Sequence, residues 1–213
     1  MMHQPKFLRL AGQAPLVTGS WKLVFQHPHD EGLLVKVVNR EGNVSRSRKT
    51  WYKARPREGN LLPFSRELLE FVVAEANSNG RPSPIPRIVG LVETDLGLGL
   101  VVEKIRGRTG ELATTLVDRL PQTGLTLKIE QMLAALIADI NQRRIVLTEF
   151  RPRNIVIVDA GKKQSRLMLV DGFGDSSLIG LHSLSKFANT RRNLRKYRKT
   201  LRRLRLKNAE SID

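Results

Sequence analysis

LTEFRPRNIVIV (residues 147–158) and RLMLVDGFGD (residues 166–175) decide how this chain folds. Each stretch holds an apolar run, and the polar turn Asp159-Ala160-Gly161 separates them, which predicts a β-hairpin. Antiparallel pairing would bring Asn154, before the first run, and Asp171, after the second, to the same end of the hairpin. An amide oxygen and a carboxylate are ligands that Mg²⁺ prefers, so the pair predicts a metal site. In the alternative interpretation, Asp171 caps a turn and Asn154 ends a loop.

Length and composition limit the class of protein. A chain of 213 residues with 40% apolar content can form one domain, or two small lobes around a cleft. No apolar run approaches the roughly 18 residues of a membrane span, and the first residues lack the apolar centre of a signal peptide. The absence of cysteine excludes disulfides and thiolate metal sites, and it fits a cytoplasmic protein. The four histidines show no metal-ligand spacing.

The charge is strongly positive and concentrated near the end of the chain. The formal net charge is +17, and Lys186–Lys207 contains 11 Lys and Arg and no acid. A smaller basic cluster lies within residues 46–57. The long segment is predicted to be an amphipathic helix, whose apolar stripe is Phe187, Leu194, Tyr197, Leu201 and Leu204. The stripe could close the second lobe while the charges face water, or the charges could bind nucleic acid or anionic lipid.

The first hundred residues favour β-structure with one helix. Four apolar runs predict strands: WKLVFQHP (21–28), LLVKVVN (33–39), IVGLVET (88–94) and LGLVVEKI (98–105). Ser65 is a candidate N-cap for a helix over Glu67–Ala76, with Leu68, Leu69, Val72 and Val73 at helical spacing. Altogether we expect these strands and one helix, followed by a largely helical second half.

The clearest helix prediction covers residues 125–144. Ile129, Leu133, Leu136 and Ile140 lie on one face of it. The order of elements as a whole predicts an α+β protein.

This order resembles the protein-kinase-like fold, and the chain is similar to the PhoP regulatory network protein YrbL family. The resemblance depends on short motifs in a shared order: PLVTG (15–19), HP (27–28), REL (66–68), GLVETD (90–95) and RPRNI (151–155). It implies a compact bilobal protein, with a small antiparallel β N-lobe (1–104) and a reduced helical C-lobe (105–213). It also implies ATP and Mg²⁺ as cofactors.

The kinase resemblance assigns nucleotide contacts to the first lobe. Lys36 would hold the phosphates, with Glu67, or failing that Glu70, as its ion-pair partner. Alternatively, Lys36 is an edge-strand lysine that faces solvent. Gly19 and Ser20 are assigned to the loop that covers the nucleotide, although a lone glycine also fits an ordinary turn. Glu103, near the end of LGLVVEKI, completes the assigned nucleotide-binding residues.

The catalytic assignments are Glu149 and Arg151. Glu149 stands where the kinase pattern His-Arg-Asp-x-x-x-x-Asn has its aspartate, and Asn154 matches the final asparagine. The glutamate side chain is longer than that of aspartate, so its carboxylate is displaced. A misplacement of about 1 Å can lower the reaction rate about 10²-fold. Arg151 replaces a phosphate-contacting lysine, which is not an equivalent exchange.

The sequence therefore predicts a protein-kinase-like Mg-ATP-binding protein with a regulatory role. It could be a phosphotransferase acting on an unknown phosphoacceptor. Only 42 residues follow Asp171, which leaves little room for peptide recognition. The alternative is a catalytically weak, pseudokinase-like scaffold whose basic helix binds a polyanion, either nucleic acid or an anionic membrane.

Overall fold

The computed structural model describes residues 7–40, 61–107, 110–160, 164–174 and 185–210. Within these ranges the protein is mixed α+β, with eight strands and four α-helices, so the predicted fold class is confirmed at this level. The chain divides into two compact units. One comprises Met1–Ser65 and Arg87–Lys104, and the other comprises Arg66–Pro86 and Ile105–Asp213. The assignment of residues 1–104 and 105–213 as functional lobes stays a prediction.

Six strands form the sheet of the first unit. They are β1 (Phe7–Leu8), β2 (Val17–Thr18), β3 (Lys22–Gln26), β4 (Leu33–Val38), β5 (Ile88–Thr94) and β6 (Gly97–Glu103). Their order is β1-β5-β6-β4-β3-β2. All four strands predicted from apolar runs are present. The predicted antiparallel sheet is modified at one edge, because β1 pairs with β5 in parallel.

Lys36 lies in the interior of this sheet. β4 pairs with both β3 and β6, and Lys36 is opposite Val24 on one side and Leu100 on the other. The residue is only 6% exposed. The alternative interpretation of Lys36 as a solvent-facing edge lysine is therefore wrong.

Four helices are described: α1 (Leu62–Ala76), α2 (Leu116–Thr123), α3 (Leu127–Gln142) and α4 (Lys186–Glu210). The helix predicted over residues 125–144 is α3, and all four residues of its predicted apolar face are buried. Its N-cap is Thr126, whose side chain accepts a hydrogen bond from the Ile129 amide. α2 was not predicted, although Leu116 and Leu120 stand at helical spacing in it; the helix is only 8 residues long and contains Pro121.

The prediction for α1 was wrong in two respects. The helix begins at Leu62, so Ser65 is not its N-cap, and the Ser65 hydroxyl donates to the Leu62 carbonyl. Leu69 and Val72 are more than half exposed, whereas Glu67 and Glu70 are each 3% exposed. The buried side of the helix therefore includes two carboxylates beside Phe64 and Ala74. Burial of carboxylates requires compensating hydrogen bonds or charges, which apolar spacing alone cannot indicate.

The predicted hairpin is confirmed in the second unit. β7 (Ile155–Ala160) pairs antiparallel with β8 (Gln164–Leu169), starting from the pair Ile155 and Leu169. Residues 159 and 160 extend β7 rather than form the predicted turn, and Gly161 lies outside the described residues. The hairpin packs with α3 and Leu204 of α4 in one hydrophobic core.

Two predicted features lie outside the described ranges: the basic cluster within residues 46–57 and Asp175. In the part of the chain that the structure describes, no helix is long and apolar enough to cross a membrane.

Candidate functional site

Asn154 and Asp171 lie at the same end of the hairpin. Asn154 is the last residue of a short 3₁₀ turn, Pro152–Asn154, directly before β7. Its carbonyl accepts a hydrogen bond from the Val170 amide at 2.8 Å, which places Asp171 one residue beyond this pairing. The Asp171 Oδ1 accepts from the Gly172 amide at 2.7 Å. The structure thus brings the two predicted metal ligands to one end of the hairpin, as antiparallel pairing requires.

Gly172 joins this end of the hairpin to the loop that contains Glu149. The amides of Thr148 and Glu149 both donate to the Gly172 carbonyl at 2.8 Å. Gly172 has φ +90°, and an added Cβ would lie 2.8 Å from the Glu149 carbonyl oxygen and 2.9 Å from the Asn154 Nδ2. Only glycine fits this conformation and this space. We call Val146–Asn154 together with Val170–Gly174 the acidic loop pair.

Glu149 is held by two arginines of its own loop. Its carboxylate lies 3.0 Å from a terminal nitrogen of Arg151 and 3.8 Å from one of Arg153. The side chains of Glu149, Arg151 and Arg153 are 37%, 53% and 61% exposed, respectively. Exposed ion pairs of this kind contribute only about 0–1 kcal/mol, so the carboxylate can exchange partners readily. The sequence prediction included Glu149 and Arg151 but missed Arg153, which lies four residues after the glutamate.

Two asparagines of α4 bind the backbone at the start of the loop. The Asn193 Oδ1 accepts from the Leu147 amide at 3.2 Å, and its Nδ2 donates to the Ile145 carbonyl at 2.9 Å. The same Nδ2 reaches the Asn141 Oδ1 at 3.0 Å. The Asn189 Nδ2 also donates to the Ile145 carbonyl, at 3.1 Å. Asn193 is fully buried, and Asn189 is 4% exposed.

Further along α4, two more polar side chains bind the same loop. The Lys196 ammonium donates to the Leu147 carbonyl, and the Thr200 hydroxyl donates to the Phe150 carbonyl. The rings of Phe150 and Tyr197 meet edge to face, with centroids 6.0 Å apart. We call the four residues of α4 that bind this backbone its inner face: Asn189, Asn193, Lys196 and Thr200.

The inner face was not predicted from the sequence. Its residues recur at spacings of four, three and four, which places them on one side of the helix. Two asparagines four residues apart within a strongly basic helix were the available signal. The predicted apolar stripe is only partly right. Leu194, Tyr197 and Leu204 contact the core, whereas Phe187 is 77% exposed.

The far end of α4 is fixed to the start of α3. The Asn208 Oδ1 accepts from the Leu125 amide at 2.6 Å. Two nitrogens of Arg205 donate to the two carboxylate oxygens of Glu130, at 2.8 and 2.6 Å. These hydrogen bonds lower the pKa of Glu130 and raise that of Arg205.

Glu70 supports the acidic loop pair from α1. Its Oε2 accepts from the Val146 amide at 2.7 Å. Glu70 was the second choice as partner for Lys36. This bond gives it a structural role within the second unit, and the choice between Glu67 and Glu70 as the partner of Lys36 stays a prediction.

Arg143 is a second structural residue that sequence reasoning missed. Its side chain is fully buried, and its Nε lies 3.1 Å from the Asp139 carboxylate. Its terminal nitrogens donate to the carbonyls of Ala74, Arg81 and Pro82, at 3.1, 2.8 and 2.8 Å. One guanidinium thus joins the end of α1, the following loop and α3, directly before the acidic loop pair.

The remaining predicted nucleotide contacts lie in the first unit. The Gly19 amide donates to the Lys22 carbonyl at 2.8 Å, and the Asn39 side chain donates to the Gly19 carbonyl at 2.8 Å. Gly19 therefore closes the tight β2–β3 turn, and Ser20 beside it is exposed. Glu103 ends β6, where its carboxylate accepts from the Arg87 amide at 3.3 Å.

The chain belongs to the family described as PhoP regulatory network protein YrbL, whose sequence profile it matches over residues 8–205. A relative from Escherichia coli (strain K12), "Uncharacterized protein YrbL", is 27% identical over 195 residues. The match covers 90% of this chain and 85% of the relative. A protein of the same name from Shigella flexneri matches with the same identity and the same coverage. The family resemblance predicted from the short motifs is confirmed.

Proposed function

We propose that this protein is a protein-kinase-like regulator that binds Mg-ATP through the acidic loop pair. The observation that carries the proposal is the placement of Asn154 and Asp171 at one end of the hairpin, around the tight backbone of Gly172. An asparagine and an aspartate at one hairpin end, following a loop with a carboxylate and an arginine, are the groups that kinases use around a metal-bound nucleotide.

The residues present fit a magnesium ion. Mg²⁺ keeps several waters and takes only one or two protein oxygens, so an amide and a carboxylate are sufficient. Asn154 and Asp171 would be these two ligands. When bound, the ion would neutralise phosphate charge. Arg151, about half exposed, would add a planar fork for a phosphate oxygen.

In this proposal Lys36 and Glu67 would be the two charges that position the phosphates. Both charges are buried, at 6% and 3% exposure. Burial of a charge is costly unless an opposite charge and hydrogen bonds compensate it. A buried lysine on an inner strand and a buried glutamate on the next helix are the two charges of the kinase ion pair.

Rapid phosphoryl transfer is not part of the proposal. The Glu149 carboxylate binds Arg151 and Arg153, and it must leave them before it can orient an acceptor hydroxyl. Its side chain is also one methylene longer than that of the kinase aspartate. We therefore propose slow or regulated transfer to an unknown acceptor. A phosphotransfer assay should show that Glu149→Gln abolishes turnover and leaves nucleotide binding intact.

Thermal unfolding with Mg-ATP tests nucleotide binding. At ten times the dissociation constant, ligand binding stabilises the folded state by about 1.4 kcal/mol. For a chain of this size, that raises the Tm by about 3–5 °C. Lys36→Ala and Asp171→Ala should abolish the rise, whereas Lys128→Ala and Glu111→Gln, at exposed positions, should retain it. An unchanged Tm of the unmodified protein at millimolar Mg-ATP would reject the proposal.

A second candidate function is a scaffold that presents α4 to a polyanion. The observation that favours it is the basic outer side of α4, opposite the inner face that binds the loop. In this function the kinase-like site would be catalytically weak.

A further inference from the structure

Four arginines form a single row on the outer side of α4. Arg191, Arg195, Arg198 and Arg202 are all exposed, and their spacings of four, three and four keep them within about 60° around the helix axis. The row lies opposite Asn189, Asn193 and Thr200, which follow the same spacing on the inner face. We call these four residues the arginine row.

The arginine row is available and firmly positioned. None of its four side chains forms an ion pair or a hydrogen bond with another residue in the part of the chain that the structure describes. Arg205, one turn further along, shows the contrast, since its guanidinium binds Glu130. Because the inner face fixes α4 from the opposite side, the row is presented on a rigid support.

We propose that the arginine row binds the phosphate backbone of a nucleic acid strand, without regard to base sequence. Arginine presents a planar pair of donors that matches phosphate, and all four positions carry arginine rather than lysine. From the first arginine to the last the helix rises about 16 Å. One strand carries a charge every 3.4 Å or so along the axis, so the row spans about five phosphates.

The packing of α4 favours nucleic acid over a membrane surface. A helix that lies in a membrane interface buries its apolar face in lipid, but the apolar residues Leu194, Tyr197 and Leu204 of α4 pack in the protein core. Phe187 and Leu206, four residues before and four residues after the row, are exposed at 77% and 56%, but they are single side chains at its two ends. Lys199, Arg203 and Lys207 are also exposed on α4, and they would add charge beside the row.

This inference deepens the second candidate function and is independent of Mg-ATP binding. The test compares two triple variants that remove equal charge from exposed positions: Arg195→Gln, Arg198→Gln, Arg202→Gln on the row, and Arg87→Gln, Arg119→Gln, Lys128→Gln outside α4. Binding of labelled 20-nucleotide RNA and DNA strands of mixed sequence is measured by fluorescence anisotropy at several salt concentrations.

We expect the row variant to bind at least tenfold more weakly than the unmodified protein and to lower the salt slope of log K by about 2. The control variant should lose less than threefold. A third variant has lysine at the three row positions, and its affinity for the strands should lie between those of the row and control variants. Lysine keeps the positive charge but lacks the planar pair of donors of the guanidinium.

Three outcomes overturn the inference, and they differ in what else they reject. Equal losses of strand affinity in both triple variants would show a general effect of charge. That result would reject the arginine row as the binding site but not the second candidate function. Binding to phosphatidylserine vesicles without binding to either strand would replace nucleic acid by membrane. No binding to strands or vesicles would reject the second candidate function as well. The rise in Tm with Mg-ATP is measured independently of strand binding. The row variant should show the same rise as the unmodified protein.

Discussion

Replacement of Asn193 by alanine would test whether α4 holds the acidic loop pair in place. Asn193 is fully buried in the middle of the helix, and its amide group binds the loop in both directions. It accepts from the Leu147 amide at 3.2 Å and donates to the Ile145 carbonyl at 2.9 Å. Truncation removes both contacts, together with the hydrogen bond to the Asn141 Oδ1 at 3.0 Å, and leaves the backbone of α4 unchanged.

The expected magnitude follows from which groups lose their partners. The Ile145 carbonyl retains Asn189 as a donor, at 3.1 Å. The Leu147 amide loses its acceptor, and a buried donor left unsatisfied costs about 1–3 kcal/mol. Alanine is the better helix former, which offsets up to about 0.7 kcal/mol. We therefore expect Asn193→Ala to lower the free energy of unfolding by about 2 kcal/mol, or the Tm by about 4–8 °C.

The assay is urea unfolding followed by circular dichroism, together with hydrogen exchange at the Leu147 amide. Exchange at this amide should become faster than in the unmodified protein, because the bond that protects it is gone. The matched control is Arg195→Ala, an exposed position two residues along the same helix, which should change stability by less than about 0.5 kcal/mol. An equally small loss for Asn193→Ala, with unchanged exchange, would refute the reasoning.

Three further predictions follow from single sites. Arg143→Lys should cost at least about 3 kcal/mol in urea unfolding, since an ammonium cannot replace the buried fork that binds three carbonyls and Asp139. Gly172→Ala should destabilise the protein more than Gly12→Ala, because both have φ near +90° but only Gly172 would bring a Cβ against neighbouring atoms; equal losses would argue against the tight packing. Hydrogen bonds from the Leu10 and Ala11 amides lower the pKa of Asp95, so its contribution to stability is present above about pH 4 and is lost as the pH falls through the lowered pKa. The stability gap between the unmodified protein and Asp95→Asn should therefore narrow in acid, and a gap that is constant with pH would contradict this account.

Local patterns predicted the elements whose burial follows simple periodicity. The hairpin was predictable because two apolar runs flank a short turn, and its register follows once Ile155 is opposite Leu169. Helix α3 was predictable because Ile129 and Leu133 repeat at helical spacing and both are buried. The position of Asn154 beside Asp171 then followed from antiparallel pairing alone.

Residues whose partners are distant backbone groups could not be predicted. Asn193 is buried because it meets the chain near Leu147, 46 residues away. Glu70 is buried because it accepts from the Val146 amide, 76 residues away. Because such a hydrogen bond buries a carboxylate, the spacing of apolar residues in α1 predicted the wrong side of the helix as buried. In such cases the tertiary hydrogen bond, rather than the hydrophobicity of the side chain, determines which face is inside.

Isothermal titration of ATP, with and without Mg²⁺, tests the central claim most directly. If Asn154 and Asp171 hold a metal-bound nucleotide, Mg²⁺ should strengthen ATP binding at least tenfold, which corresponds to about 1.4 kcal/mol. Asn154→Ala and Asp171→Ala should each remove this dependence on Mg²⁺, whereas Lys36→Ala should weaken binding under both conditions. Absence of ATP binding at millimolar concentration, or a metal dependence that survives in Asp171→Ala, would contradict the account.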